Sequence, residues 1–468
     1  MEEKDMNSKA TILAGAAEVE ITPLLGTQIA GDIGRRRPAD VVFEPIFGKA
    51  LVLESDGVKV CFLSLDLLAA TKDQCDILRE KINAAYGIPK ENVVVHVVQN
   101  HAAPSLGHMM VPPNGSSRLP KGPEWQFLTS GDDVYHAFCI ERILQAVEDA
   151  VKKMQPVHVG VSRAIDGRFS FNRRVVMRGG RRMAEPQRED VDDGLLYIDG
   201  PVDPEVGVAL FVNEKMENIA VLLHHSCHPC SGYPFHYISS DWPGAWCDEM
   251  RNVLGSDCVP LVINGYCGNL IHQNRLDPTH DWRDYKGMGA GLAWSAVKAL
   301  KKMRYMENID LKMTSEHLQI PVRQFSEEYL KNARKLIEEH PEIKWNDEED
   351  CIDRDWWIAA SALDTYDQWP PGSMFDYEIQ AIRVGDLGII ASGGEPYVEG
   401  QLAIKLDSPS EFTFIAHMCN YYVGYVPVPE AIEKMSTWDT FTSLGSKLDP
   451  CALDMISECS VKLLKKIF

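Results

Sequence analysis

The chain has 468 residues, enough for a large core, with 45% hydrophobic and 25% charged residues, the proportions of an ordinary globular protein. Its 47 Lys and Arg against 68 Asp and Glu give a formal charge of −21, which argues against nucleic acid and anionic membrane surfaces as partners. No apolar run approaches the ~20 residues of a membrane span, and the 12 scattered cysteines read as reduced thiols.

Residues 1–10 read as a disordered polar leader without the apolar core of a signal peptide, so the expected location is cytoplasmic. The stretch 14–31 carries a short strand, then a loop punctuated by Gly26 and Gly31. Arg35, Arg36 and Arg37 form a basic cluster, read as solvated loop in preference to an anion contact. Apolar runs at 50–54 and 58–65 around Ser55-Asp56-Gly57 predict a hairpin, the second run ending in Ser64-Leu65-Asp66. Thr71 and Gly87 bracket a helix through Tyr86. A strand over 92–98 ends at Gln99-Asn100-His101. The Gly-, Pro- and Ser-rich stretch 107–131 reads as a long loop, 135–153 as a helix and 157–163 as a strand. Residues 166–200 suggest an irregular excursion over a pocket.

Runs at 206–211 and 219–223 form a hairpin, and the second empties into His224, His225 and His228, with Cys227 and Cys230 among them. The Cys-x-x-Cys spacing suits redox or zinc sites, but without a second such pair it reads as two plain thiols. Asp241 is expected to N-cap a helix that starts near Ala245. The strand 259–264 ends at Gly265-Tyr-Cys-Gly-Asn269, and helices follow over 286–302 and 326–340. The aromatic stretch 345–375, with Trp356, Trp357, Trp369 and Phe375, reads as a lid or as a contact between copies in a homo-oligomer. Strands at 378–384 and 387–391 pair around Gly385-Asp386, the second ending at Glu395, and 412–417 ends near Tyr422 and Tyr425.

Five strands therefore end in polar candidates: His101, His228, Asn269, Glu395 and Tyr422. Active sites of α/β folds gather beyond strand ends, where the sheet fixes the loops that carry chemistry. The expected fold is α/β, one large unit of mixed β-sheets flanked by helices.

Several short motifs recur in one order: Ile21-Thr22-Pro23 with Gly31; Ser64-Leu65-Asp66; Asn100-His101-Ala-Ala-Pro104; Cys227-His228-Pro229 with Ser239-Ser240-Asp241; Gly268-Asn269; Gly394-Glu395; and Asn420-Tyr421-Tyr422 through Tyr425 to Pro429-Glu430. In them the chain resembles the neutral/alkaline non-lysosomal ceramidase family, specifically its catalytic N-terminal domain. The resemblance implies one catalytic domain over 11–468, without the family's C-terminal immunoglobulin-like domain. It also implies a zinc hydrolase with two histidines, a glutamate and a tyrosine at the metal. His228 matches the second metal histidine, Glu395 the glutamate, and either Tyr422 or Tyr425 the tyrosine. Gln99 stands where the family has its first metal histidine, and Leu270-Ile271-His272 lacks the serine that follows the Gly-Asn pair in ceramidases. These departures point away from ceramide.

The expected activity is therefore metal-dependent hydrolysis of an amide, ester or lactone bond in a small polar, possibly sugar-derived, molecule. His101 is either a replacement ligand or the general base. Tyr422, Tyr425 and Asn269 complete the catalytic candidates, with Arg173, Arg174 and Asp241 on the substrate side, since an Arg fork suits a carboxylate. Two alternatives stand beside this reading: a lyase or isomerase on the same scaffold, and a binding protein whose metal site has decayed.

Overall fold

The computed structural model describes residues 12–185, 194–277, 279–281, 283–307, 309–433, 437 and 439–468. The stretch 1–10, read as a leader, lies outside them. A mixed sheet runs in spatial order Val259–Asn264, Asn218–His225, Glu205–Asn213, Gln155–Ile165, Ile12–Glu20, Phe47–Ser55, Val58–Leu65 and Val93–Val97, with Arg304–Tyr305 added on Gln155–Ile165. Its central pairs are antiparallel, and the outermost pair at each end is parallel. The expected hairpin at 55–58 is present: Ser55 pairs with Val58 across Asp56 and Gly57, whose φ angles of 49° and 81° give the turn that matches strand twist. A second sheet runs Leu311–Pro321, Met374–Val384, Leu387–Ser392 and Phe412–Ala416, its last pair parallel.

Apart from the half-exposed strand Leu311–Pro321, both sheets are largely apolar on two faces because both faces are covered. Leu51, Phe62, Val94, Val159, Phe211 and Leu261 of the first sheet meet Ile382, Ile389 and Phe414 of the second in one buried cluster. The helices Lys72–Tyr86 and Asp133–Lys152 cover the outer face of the first sheet with Leu78, Ile82, Ile143 and Val147. Asp241–Leu254 and Tyr285–Leu300 continue that layer with Trp246, Met250 and Leu292. Ala452–Ile467 covers the second sheet with Ile456, Leu463 and Leu464. The result is a mixed α/β unit layered helices, sheet, sheet, helix. Each large side chain buried this way contributes about 1.5–3 kcal/mol, which makes the strand ends a stiff platform.

Side chains lock those ends together. The Asn264 amide donates to the carbonyls of Val98 (2.9 Å) and Cys227 (3.0 Å), and its backbone N–H donates to His96 Nε2 (3.1 Å). The His417 N–H reaches the Asn264 carbonyl (3.2 Å), and the Met418 N–H that of Gly394 (3.0 Å). The loops carrying His101, His228, Asn269, Glu395 and Tyr422 thus issue from a single braced region.

Three local expectations change. Arg37 is fully buried, not solvated: its guanidinium donates to the carbonyls of Ala30 (3.0 Å), His101 (3.2 Å) and Phe235 (2.8 Å). Asp241 is not a conventional N-cap. Ser240 holds that position, and Asp241, at φ 51°, turns its carboxylate onto the Ser231 N–H (2.8 Å) and the Trp242 N–H (2.6 Å). Thr71 makes no side-chain cap, though Gly87 closes its helix in the left-handed conformation. The aromatic stretch is a packed helix, Arg354–Gln368, capped by Asp353. It buries Trp356, whose indole N–H donates to the His340 carbonyl (2.9 Å). Trp369 and Phe375 flank the Lys447 ammonium at 5.5 and 5.6 Å. Among the described residues no helix is long and apolar enough to cross a membrane, and all 12 cysteines are unpaired.

Candidate active site at the strand ends

His228 follows the strand Asn218–His225 by three residues, and Glu395 follows Leu387–Ser392. His228 Nδ1 lies 2.7 Å from the Cys267 carbonyl and 3.0 Å from that of Leu270. Carbonyls only accept, so Nδ1 carries a proton, and Nε2 is the nitrogen left to face the site. Nε2 faces Glu395 Oε2 at 3.3 Å; both atoms are buried, and neither has another hydrogen-bond partner. A bare ring nitrogen and a carboxylate oxygen held face to face repel unless something positive lies between them. The gap equals the separation of two ligands on one tetrahedral ion, about 3.3 Å for bonds of ~2.0–2.1 Å. The other Glu395 oxygen accepts from the Tyr422 hydroxyl (2.9 Å).

His101 closes a third side. Its ring centroid is 5.7 Å from that of His228, and its Nε2 is likewise buried without a partner. The ring hydrogen-bonds Gly31, and an added Cβ at Gly31 would stand 2.5 Å from Nδ1. Burial, then the neighbouring His228 and the Arg37 and Arg173 guanidiniums, push the His101 pKa well below its ordinary value, so the ring is a neutral acceptor. Tyr425 lies against the same carboxyl group as Tyr422. Burial first, and Glu395 second, hold both phenols far above the usual range, so both remain protonated donors.

The other candidates sit around this core. Arg173 donates to the Gly268 carbonyl (2.6 Å) and to Glu185 (2.8 Å), with its guanidinium carbon 5.5 Å from the Tyr425 ring centre. Arg174 is 1% exposed, on the Tyr397 hydroxyl (3.3 Å) and Thr437 (3.2 Å), and both guanidiniums approach buried Asp439, Arg173 at 3.7 Å and Arg174 at 3.8 Å. Asn269 is fully buried: its amide donates to Glu399 (2.9 Å), and its carbonyl accepts the Val398 N–H (3.0 Å) that opens the helix Val398–Asp407. Asp241 fixes the 228–232 loop through Ser231. Gln99, at φ 68°, receives a weak contact from the Cys267 thiol (3.6 Å). Sequence reasoning read Arg37 as solvated, whereas it ties the backbone at His101 to the 232–235 loop, and it read Gly31 as loop punctuation and a family motif residue, not as the partner of His101. Arg37 is distinguished from Arg35 and Arg36 only after folding, when it alone of the three is fully buried.

A second donor group lies elsewhere. Among the described residues, His108, Asp133 and His136 are the three metal-type donors whose atoms all lie within 4.8 Å of one another. His108 Nε2 also faces a carboxylate oxygen, Asp133 Oδ1 at 3.1 Å, but these two side chains are 33% and 68% exposed, so water can serve both, unlike the buried His228–Glu395 pair. Thr129 donates to the Gln126 carbonyl (3.0 Å), so its oxygen accepts from His108 Nδ1 (2.7 Å). His136 Nε2 accepts the Asp132 N–H (3.2 Å), which leaves its proton on Nδ1, toward Asp133. A metal on that ring would displace a proton already needed there. A surface cleft of about 540 Å³ beside the C-terminal helix, lined by Asp407, Asp454, Glu458 and Lys462, contains none of the candidate residues.

No protein-family profile matches the chain, and no curated protein matches it. Solved structures do. A neutral ceramidase from Pseudomonas aeruginosa superposes with a TM-score of 0.70 at 16% identity, over 97% of this chain and 74% of that one. A ceramidase complexed with C2 gives 0.70 at 15% identity, over 97% and 75%. At such identity the likeness concerns architecture: the chain has the α/β fold of the neutral ceramidases.

Proposed function

We propose that the chain is a metal-dependent hydrolase of an amide, ester or lactone bond in a small polar substrate. The observation that supports this reading is the pair of facing, otherwise unpartnered atoms His228 Nε2 and Glu395 Oε2. Their donor types suit zinc, and a histidine whose other nitrogen is tied to carbonyls is oriented as metal-bound histidines are. When bound there, a divalent ion supplies Lewis-acid polarisation of a carbonyl and acidifies water.

The remaining work falls to the side chains. Tyr422 anchors one Glu395 oxygen so that the other faces inward. His101, neutral and held at Gly31, is the base: its Nε2 accepts the proton of the attacking water and returns it to the leaving group. Tyr425 donates toward the substrate oxygen as negative charge builds on it. Asn269 and Asp241 position the loops, and neither needs to touch substrate.

The test is turnover of p-nitrophenyl acetate, a lactone panel and N-acyl amides by chelator-stripped and zinc-reconstituted protein. Zinc should restore turnover, Glu395→Gln should abolish it, and His101→Ala should lower it by about 10²–10⁴-fold with zinc still bound. Full turnover in stripped protein, unchanged by Glu395→Gln, rejects the reading.

A further inference from the structure

The substrate side of the site holds an acidic side chain between two arginines. Arg173 is 3% exposed and braced on the Gly268 carbonyl and the Tyr425 ring, so its fork is fixed before anything binds. Its Nη1 meets Glu185 Oε1 at 2.8 Å, and Arg275 Nη2 approaches the other Glu185 oxygen at 4.0 Å. Arg275 Nε is shut off from solvent with no hydrogen-bond partner, so Glu185 leaves one donor of the cradle unused. Burial, with Arg173 close by, weakens the hold of Arg275 on its proton, and Glu185 opposes this.

Glu185 is one-third exposed and sits at φ 52°, a conformation that costs a non-glycine residue about 1–3 kcal/mol. Its backbone N–H on the Arg173 carbonyl (2.8 Å) turns the side chain back onto the Arg173 fork. A structural ion pair has no need of a strained, exposed acid or a spare donor. A binding site kept neutral between turnovers has a use for both.

We infer that Arg173 and Arg275 form a carboxylate-binding cradle beside His228 and Glu395, which Glu185 fills in the free protein and a carboxylate of the substrate fills on binding. The inference deepens the hydrolase reading and rests on it for the word substrate: the molecule cleaved is an acid, bound through its carboxylate with the scissile bond toward His228. Two guanidinium forks match a carboxylate in shape and charge, whereas with a neutral amide or a cation Arg173 would keep only Asp439, at 3.7 Å, and Arg275 would be left uncompensated.

The smallest member of the class is a sufficient probe. Glu185→Ala should open the cradle, so acetate at about 50 mM should raise its melting temperature by ~2–4 °C over chloride at equal ionic strength. Wild type should respond less, because Glu185 competes. Glu185→Ala/Arg275→Met should lose the difference between acetate and chloride. Glu185→Gln, which keeps the side-chain volume, provides the same comparison should the alanine variant fold poorly. An acetate effect equal to that of chloride in the opened variants, or one that survives Arg275→Met, overturns the inference. Because the readout is binding, its failure is distinct from failure of the hydrolase reading, which shows in zinc content and turnover.

Discussion

Gly31→Ala is the sharpest probe of how the fold presents His101. At φ 97° an alanine costs on the order of 1–3 kcal/mol in backbone strain. Its Cβ would stand 2.5 Å from His101 Nδ1 and 3.1 Å from Cγ, so the imidazole must move and its hydrogen bond to Gly31 is lost. That loss adds about 1 kcal/mol. Gly26→Ala is the matched control: φ is 91°, and nothing lies within 4 Å of the added Cβ. Urea melts should place both variants below wild type, Gly31→Ala by about 2–4 kcal/mol and Gly26→Ala by the strain alone. Turnover of p-nitrophenyl acetate should separate them: near wild type for Gly26→Ala, and down about 100-fold for Gly31→Ala, as for a catalytic group misplaced by an ångström. If Gly31→Ala turns over as fast as Gly26→Ala, His101 is not the base.

Other outcomes follow from the buried charges. Arg37→Met strands the carbonyls of Ala30, His101 and Phe235, and should cost about 3–5 kcal/mol in urea melts and loosen the His101 loop. Burial raises the Asp241 pKa to about 6, above the ~3.9 of a free carboxyl. The folded state therefore holds that proton more tightly, and stability should fall as pH rises from about 4 through 6. Asp241→Asn should flatten that fall by roughly 3 kcal/mol in melts across that range. Burial lowers the Lys447 pKa to about 7, below the ~10.4 of a free lysine, so stability should climb from about pH 7 to 10. Lys447→Met should remove the climb.

Much of the candidate site was legible because it lies at strand ends. Apolar runs with period-two or continuous burial mark strands, and a polar residue just beyond such a run has few other places to go. His101, His228, Glu395 and Tyr422 were found this way, and the structure brings them together. Side-chain direction was not legible. Arg173 and Arg174 are neighbours and both approach Asp439, yet only Arg173 also reaches Glu185 and the Tyr425 ring, while Arg174 rests on Tyr397 and Thr437. Arg37 and Lys447 look like surface cations until their carbonyl partners, remote in sequence, are assembled. The helix Arg354–Gln368 was obscured by its tryptophans, which suggested a cover although Trp356 is core. The C-terminal helix Ala452–Ile467 and the strand Leu311–Pro321 went unread. The strand is half-exposed and strongly polar, and pairing with Met374–Val384 along its whole length, not burial, defines it.

The central claim is that His228 and Glu395 share one divalent ion. Anomalous diffraction at the zinc edge, on crystals of protein loaded with one equivalent of zinc, tests it directly. The account expects a single peak about 2 Å from both His228 Nε2 and Glu395, with none after His228→Ala. A peak at His108, Asp133 and His136 instead, or a His228–Glu395 pair that stays metal-free and closes through a shared proton, would contradict it.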